Sequence, residues 1–357
     1  MRRRDVLTGA GSAAAVAVTL PAPAIARGIR QLTMVTDYPD GPGMLPSARR
    51  LARTIEEVTQ GRIRIEVTPG GAVVKPLQTF DAVQAGVADM FHSHIGYFEK
   101  KSSAFHFFSG VPFGFTANEL FAWVRFGGGQ ELWDSLAGEF DVKPLLACST
   151  GSQMGGWFTR EVSSIDAFKD LRYRMGAPAG EVFRRLGATV VLVPGAEIIS
   201  ALKSGAIDAC EWIGPWMDMA MGLHQVASFY YYPSWNEPGG ALALGISRRV
   251  WESFDEGDRQ LIEAAAASEF ATSLAEFNTN NARALRRLRT ETSVKIRRFD
   301  DSLLRTFAEI SKEVVAGIGA GDERAKKVYA SYMDFRSSIR EWSDIAEGAY
   351  LGVRAMG

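Results

Sequence analysis

Apolar and polar residues change their period repeatedly along the first ninety positions. Leu32-Thr33-Met34-Val35-Thr36 reads as a strand, a helical pattern runs from about Leu45 to Thr59 and stops at Gly61, and Ile63 to Val67 alternate as a second strand. A short helix from about Leu77 to Ala85, a stop at Gly86 and a strand from Ala88 to about His92 complete a βαβαβ run. The same grammar returns later. Leu171 to Met175 reads as a strand, Gly180 to Leu186 as a helix closed by Gly187, and Thr189 to Val193 as a strand; Glu197 to Ser204 follows as a helix closed by Gly205, and Ala206 to Cys210 as a strand. The two runs also match residue by residue. Ala82-Val83-Gln84-Ala85-Gly86-Val87-Ala88-Asp89 lies against Ala201-Leu202-Lys203-Ser204-Gly205-Ala206-Ile207-Asp208, with Ala, Gly and Asp in register.

Such a repeat predicts an α/β protein of two similar lobes facing one another. Parallel strands with helical crossovers need both sheet faces covered, and a ligand then sits beyond the carboxyl edges of the strands. After Gly240 the pattern becomes helical. Asp255 to about Glu291 is too long for one crossover and suits a spine laid across both lobes, and two more helices follow at about Asp301 to Ala316 and Asp322 to Trp342. In the last, Val328, Tyr329, Tyr332, Phe335, Ile339 and Trp342 recur at helical spacing, as a stripe packed on its own lobe or, alternatively, against a second copy. Gly127-Gly128-Gly129 reads as a hinge or helix stop. The boundaries that follow are a signal peptide over 1–26, a first lobe over 27–150 that is completed with the spine by about 239–290, a second lobe over 151–238, and C-terminal helices over 291–357.

The signal peptide rests on its own pattern. Arg2-Arg3-Arg4 precedes an Ala/Gly/Val run from Val6 to Leu20, and Ala24-Ile25-Ala26 offers the small-x-small sequence that a signal peptidase requires. Arg3-Arg4-Asp5-Val6-Leu7 fits the twin-arginine form, with an ordinary Sec signal as the alternative. Length changes the picture little: 357 residues exceed one comfortable core and fit two domains. A formal net charge of -1 and no basic patch with interleaved aromatics argue against nucleic acid and an anionic membrane surface as partners. Cys148 and Cys210 would enter an oxidising compartment, where a disulfide is permitted, and otherwise read as two buried thiols.

The candidate chemistry is acidic. Ala206-Ile207-Asp208-Ala209-Cys210-Glu211-Trp212 places a carboxylate at the end of a strand, and Ser234-Trp235-Asn236-Glu237-Pro238-Gly239-Gly240 places a second in an aromatic loop. Two such acids facing a cleft either carry shifted pKa values or hold a cation. Gln153 sits among glycines in Thr150-Gly151-Ser152-Gln153-Met154-Gly155-Gly156-Trp157, where its amide suits a carboxylate or a hard cation. Arg172 and Arg174 share one face of a strand, so one of them can grip a carboxylate. Carboxylates, an amide oxygen and a main-chain carbonyl favour Na⁺, Ca²⁺ or Mg²⁺ over zinc. His92 and His94 have a spacing seen in zinc sites but lack a third ligand. The chain contains no P-loop, no Gly-x-Ser-x-Gly elbow and no Cys-x-x-Cys.

Leu171-Arg172-Tyr173-Arg174, Gly187-Ala188-Thr189, the Ala-Leu-Lys-Ser-Gly-Ala-Ile-Asp core at 201–208 and Glu211-Trp212 resemble the solute-binding subunits of TRAP (tripartite ATP-independent periplasmic) transporters. Gly151 to Phe158, Glu211 to Pro215 and Trp235 to Gly240 are similar to the branch that binds 2-oxo and 2-hydroxy monocarboxylates through a cation. The resemblance implies a two-lobed periplasmic binding protein fold, a periplasmic location and small and large membrane subunits as partners. It also implies that Gln153, Glu211, the carbonyl of Trp212 and Glu237 hold the cation, that Arg174 clamps the ligand carboxylate, and that Tyr97 and Trp212 wall the pocket. Ser149 departs from the family pattern, which carries Asn there.

Two glutamates, one arginine and a monocarboxylate leave a net charge of about -2 before an ion enters, which calcium would cancel and sodium would halve. Sodium is the ion that the resemblance implies, with calcium as the alternative. The expected function is therefore capture of a small 2-oxo monocarboxylate such as pyruvate, with lactate or another 2-hydroxy acid as the alternative within the family. A different class, a periplasmic metal-dependent enzyme acting on 2-oxo acids, would need an acid or base left over after the cation is held.

Overall fold

A computed structural model describes residues 28–356, so the expected signal peptide at 1–26 lies outside the described residues. Among these, eleven strands form two sheets. The first contains β1 (Arg30–Thr36), β2 (Ile63–Thr68), β3 (Met90–Ser93), β4 (Val142–Gly151) and β10 (Gly240–Ser247) in the order β2-β1-β3-β10-β4. There β1 is parallel to β2 and β3, and β10 runs antiparallel between β3 and β4. The second contains β5 (Gly156–Phe158), β6 (Arg172–Arg174), β7 (Thr189–Val191), β8 (Ala209–Cys210), β9 (Phe229–Tyr232) and β11 (Lys295–Arg298) in the order β11-β9-β5-β8-β6-β7. In it β6 is parallel to β7 and β8, while β5 is antiparallel to β8 and β9.

The helices that cover the first sheet are α1 (Met44–Val58), α2 (Thr79–Gln84), α3 (Ala117–Phe126) and α4 (Gly129–Gly138). In α1, Met44, Ala48, Leu51, Ala52 and Ile55 are buried at helical spacing. The Thr59 hydroxyl donates to the Ile55 carbonyl where α1 ends, and Gln60 and Gly61 follow at positive φ. Gly127 caps α3 and left-handed Gly128 opens α4, so the glycine triplet is a helix stop. The second sheet carries α5 (Ala179–Arg185), α6 (Ile198–Lys203) and α7 (Pro215–Met221). Short α8 (Arg248–Glu252) leads into α9 (Glu256–Glu291), the 36-residue helix expected as a spine.

The spine touches both lobes through polar bonds. Glu269 accepts from Ser47 and from both Arg50 nitrogens that reach it, Ser273 accepts from the Ser149 amide, and Asn281 accepts from the Trp216 amide. After it, α10 (Asp301–Gly319) places Leu303 and Phe307 in the core of the second lobe and Val315 and Ile318 in that of the first. The region after 291 begins with a strand, β11, that extends the second sheet. Its sequence, Lys-Ile-Arg-Arg, is mostly charged and carries little strand signal.

In α11 (Glu323–Ser343) the stripe packs on the first lobe: Val328 and Tyr332 are buried, and Tyr329, Phe335 and Ile339 are partly so. Trp342 at its end is exposed. Cys148 and Cys210 are free, buried thiols, and burial pushes the Cys148 thiol up to about 12.

Candidate functional site

Two parallel strands and two crossings between the sheets build one cleft. Arg174 ends β6 and pairs in register with Cys210 of β8, so Arg174 and Glu211 leave neighbouring strands at their carboxyl ends. The loop after β8 is held from below. Asp218 accepts from the Ile213 and Gly214 amides (3.1 Å each), from Trp157 Nε1 (2.8 Å) and from the Tyr230 hydroxyl (2.7 Å). Burial raises the pKa of this carboxyl to about 6 against those four donors.

Gln153 lies on the crossing from β4 to β5, where the Met154 amide donates to the Ile213 carbonyl and the Gly155 amide to Tyr231. Glu237 lies on the return crossing from β9 to β10, which the Ser234 hydroxyl braces by donating to the Glu237 carbonyl (3.0 Å). A Cβ at Gly110, which sits at φ +153, would come within 2.6 Å of Glu237 Cγ, so a side chain there would displace the carboxylate.

The cavity these segments enclose is about 70 Å³ and is lined by Arg174, Gln153, Glu211, Glu237, Trp212 and Tyr97, with His94, Tyr38, Thr150 and Asn236 among their neighbours. All six side chains expected from the sequence therefore come together. Gln153 donates through Nε2 to Thr150 Oγ1 (3.0 Å), which turns its carbonyl Oε1 away, and that oxygen is buried without a partner. Glu211 Oε1 is likewise buried and unpartnered, and its Oε2 lies 3.8 Å from Arg174 Nη1. Burial holds the Glu211 carboxyl well above its usual range, Glu237 pushes it the same way, and Arg174 opposes both. Buried oxygens with open lone pairs are costly unless something supplies positive charge. A hard cation fits Gln153 Oε1 and Glu211 Oε1, an amide and a carboxylate oxygen.

Arg174 is nearly fully buried. Its Nε donates to the Val193 carbonyl (3.2 Å), Nη1 donates to the Glu211 carbonyl (2.5 Å), and the guanidinium carbon lies 5.2 Å from the Trp212 ring centroid. These contacts fix the plane of the guanidinium at the cleft wall. Burial raises the Tyr97 hydroxyl pKa to about 12, so it stays protonated as a donor.

Sequence reasoning weighed His94 only as half of a zinc-type pair with His92 and missed its partner in the cleft. His94 lies just past β3, and its Nε2 contacts Glu237 Oε1 at 2.6 Å across 143 positions of sequence. His92 points elsewhere, into the core, so the two imidazoles do not form a pair; burial lowers the His92 pKa to about 4. The lone His94 carried a usable signal, an imidazole at the carboxyl end of a predicted strand. Ser149 faces backbone: its hydroxyl donates to the Gly240 carbonyl and accepts from the Gly151 amide.

Residues 38–322 match the family model for bacterial extracellular solute-binding protein, family 7. The chain belongs to this family. A monocarboxylate 2-oxoacid-binding periplasmic protein of Nostoc sp. is 34% identical over 357 residues, covering 98% of each chain. Among solved structures, a TRAP periplasmic solute-binding protein of Pseudoalteromonas atlantica with bound sodium and pyruvate is 30% identical with a TM-score of 0.87, covering 91% of this chain and 99% of that one. Its counterpart from Colwellia psychrerythraea, with bound calcium and pyruvate, is 28% identical at the same TM-score and coverage. The family's two-lobed fold is thus the fold of this chain, and among the described residues no helix is long and apolar enough to cross a membrane.

Proposed function

We propose that this family member is the periplasmic solute-binding subunit of a TRAP transporter and captures a small 2-oxo monocarboxylate, pyruvate or a near relative, through a cation bridge. The observation that carries the reading is the convergence of Gln153 Oε1 and Glu211 Oε1, both buried and unpartnered, on one small cavity with Glu237. Gln153, Glu211, Glu237 and the Trp212 carbonyl would hold the ion, Arg174 would meet the ligand carboxylate, and Tyr97 and Trp212 would wall the site. An anion entering beside two carboxylates needs positive charge between them, so ion and acid bind as a unit. The relatives that hold sodium or calcium with pyruvate support this reading for both ions.

Tyr97 comes from the first lobe and Arg174 and Glu211 from the second, so a ligand between them favours the closed form, which the membrane subunits would recognise. A homodimer contact would lie at the exposed apolar residues Trp342, Ile345 and Tyr350.

The test is a pyruvate titration by calorimetry in chelated, sodium-free buffer, repeated after adding sodium and then calcium. Binding that appears only with an ion, with pyruvate recovered unchanged, supports a non-enzymatic receptor. Equal affinity in all three buffers defeats the bridge, and chemical conversion of pyruvate favours the metal-dependent enzyme.

A further inference from the structure

A second cavity of about 270 Å³ lies on the other side of Trp212. Tyr38, Met44 and Trp212 line both spaces, so these three side chains form the partition between the cleft that holds Arg174, Glu211 and Glu237 and a second space without those charged groups. Beyond the partition the apolar walls are Met217, Met221, Ile199 and Leu45, and exposed Asp40 and Ala220 stand at the rim. Unbranched thioethers repack around ligands of varied shape at little cost.

Trp212 is a buried wall that stands between the two spaces. Its Nε1 is buried without a partner, so no hydrogen bond fixes the angle of the indole. One contact is the Arg174 guanidinium over the ring. Another is Gly195, where an added Cβ would collide with the ring edge, with Cζ2 and Cζ3 at 2.9 Å. Gly195 is therefore the residue whose lack of a side chain lets the indole sit back from the cleft.

We propose that Trp212 sets the acyl-chain length this protein accepts, and that the second cavity behind it is a latent chain subsite for longer 2-oxo acids. This rests on the cation-bridged reading of the cleft. With the carboxylate and 2-oxo oxygens on the ion beside Glu211, the acyl carbons must leave the cleft past its apolar wall. The indole stops a chain of pyruvate size and blocks entry to the space beyond it.

The test is a chain-length series of pyruvate, 2-oxobutanoate, 2-oxohexanoate and 2-oxooctanoate, titrated calorimetrically at saturating sodium or calcium. The readout is the ratio of 2-oxohexanoate to pyruvate affinity, which cancels any loss common to both acids. Wild type should favour pyruvate by about tenfold or more, since hydrophobic pockets discriminate by roughly 10–200-fold for small changes in chain. Trp212→Leu should move that ratio by at least about tenfold toward the longer acid, and adding Ala220→Phe, which narrows the second cavity at its rim, should reverse part of the gain. Gly195→Ala should push the indole inward and move the ratio the other way. Where Trp212→Leu proves unfolded by circular dichroism, Trp212→Phe and Gly195→Ala carry the test, with shifts of opposite sign expected. A wild type that binds 2-oxohexanoate as well as pyruvate overturns the wall, as does a ratio unmoved by Trp212→Leu, or by both of the substitute variants where it fails to fold. Failure of every 2-oxo acid to bind wild type with either ion overturns the cation-bridged reading itself and is recognised before any variant is made.

Discussion

The two lobes use one scaffold and spend it differently. Asp89 and Asp208, aligned by the repeat, do the same structural work: each accepts the amide of a residue on the neighbouring strand, Thr33 at 2.9 Å and Arg172 at 3.0 Å. Counting from those anchors, Val35 in the first lobe corresponds to Arg174 in the second, and His92 to Glu211. In the first lobe the pair is core, and β1 and β3 continue past it to Thr36 and Ser93. In the second lobe β6 and β8 stop at Arg174 and Cys210, and the charged pair opens on the cleft. Where the strands end decides whether the same position packs in a core or lines the cleft. The first lobe contributes Tyr97 and His94 from the turn beyond its longer strand, and these line the same cleft as the charged pair.

The largest break in this comparison is Glu211→Gln. It keeps the shape and removes one ligand charge, so ion-dependent pyruvate binding should fall by roughly 3 kcal/mol or more, at least a hundredfold. Stability should move the other way. Because burial holds the folded-state pKa of Glu211 above its ordinary value, ionising it costs the ligand-free protein stability as pH rises above about 4.5, and the amide removes that cost. Calorimetry and a melting curve at pH 7 check both: a ligand-free variant that melts below wild type contradicts the assigned cause.

The counterpart His92 should show itself through pH. Its folded pKa of about 4 lies below the ordinary 6.5, so the unfolded chain takes up a proton first as pH falls. Stability present above pH 6.5 should be lost between there and about pH 4, by up to about 3 kcal/mol. His92→Leu should flatten that part of the profile and leave pyruvate affinity within about twofold at pH 7.5, because the ring faces core. An unchanged acid limb in denaturant titrations would remove His92 from the account.

Much of this frame was legible in the sequence. The βαβαβ grammar of both halves and the long helix were readable because short periodic helices closed by glycine alternate with strands. Glu211 and Glu237 stood out as acids near strand ends, Gln153 by its glycines and Arg174 as one of two arginines on a strand face, whereas Tyr97 and the wall role of Trp212 came only with the family resemblance. What escaped has physical reasons. β4 and β10 are buried on both faces and lack alternation, so Pro144-Leu145-Leu146-Ala147-Cys148 and Ala241-Leu242-Ala243-Leu244 give no period. β5 is three residues long, below what a pattern can mark, and of the strand expected over Ala206 to Cys210 only the last two residues pair, as β8. His94 meets Glu237 only when the two crossings fold together.

Arg174→Lys tests the clamp at smaller scale. With Nε and Nη1 bonded to the Val193 and Glu211 carbonyls, part of the guanidinium is committed to the wall, so lysine loses orientation as well as one contact to the ligand. Pyruvate affinity should fall by about 1–2 kcal/mol with sodium or calcium saturating. An affinity equal to wild type would show that the arginine is structural.

The smallest effect separates the two anchors. Asparagine still accepts a hydrogen bond through Oδ1, so Asp89→Asn and Asp208→Asn both keep the bond that ties their strand to its neighbour. Asp208→Asn also loses the fork from Arg172, whose Nε and Nη2 lie 2.8 and 2.6 Å from the carboxylate. Both side chains of that pair are partly exposed, and surface pairs contribute little, so the cost should be about 0.5–1 kcal/mol, and less at Asp89, where Thr33 offers a hydroxyl and an amide. Arg172→Lys should fall in the same small range. Pyruvate affinity should stay within about twofold in all three variants, because the cleft begins after the strands these anchors start. If Asp208→Asn weakens binding tenfold, the start of β8 controls Glu211 across its two residues, and the division between a scaffold shared by both lobes and a site confined to the ends of the second lobe's strands no longer holds.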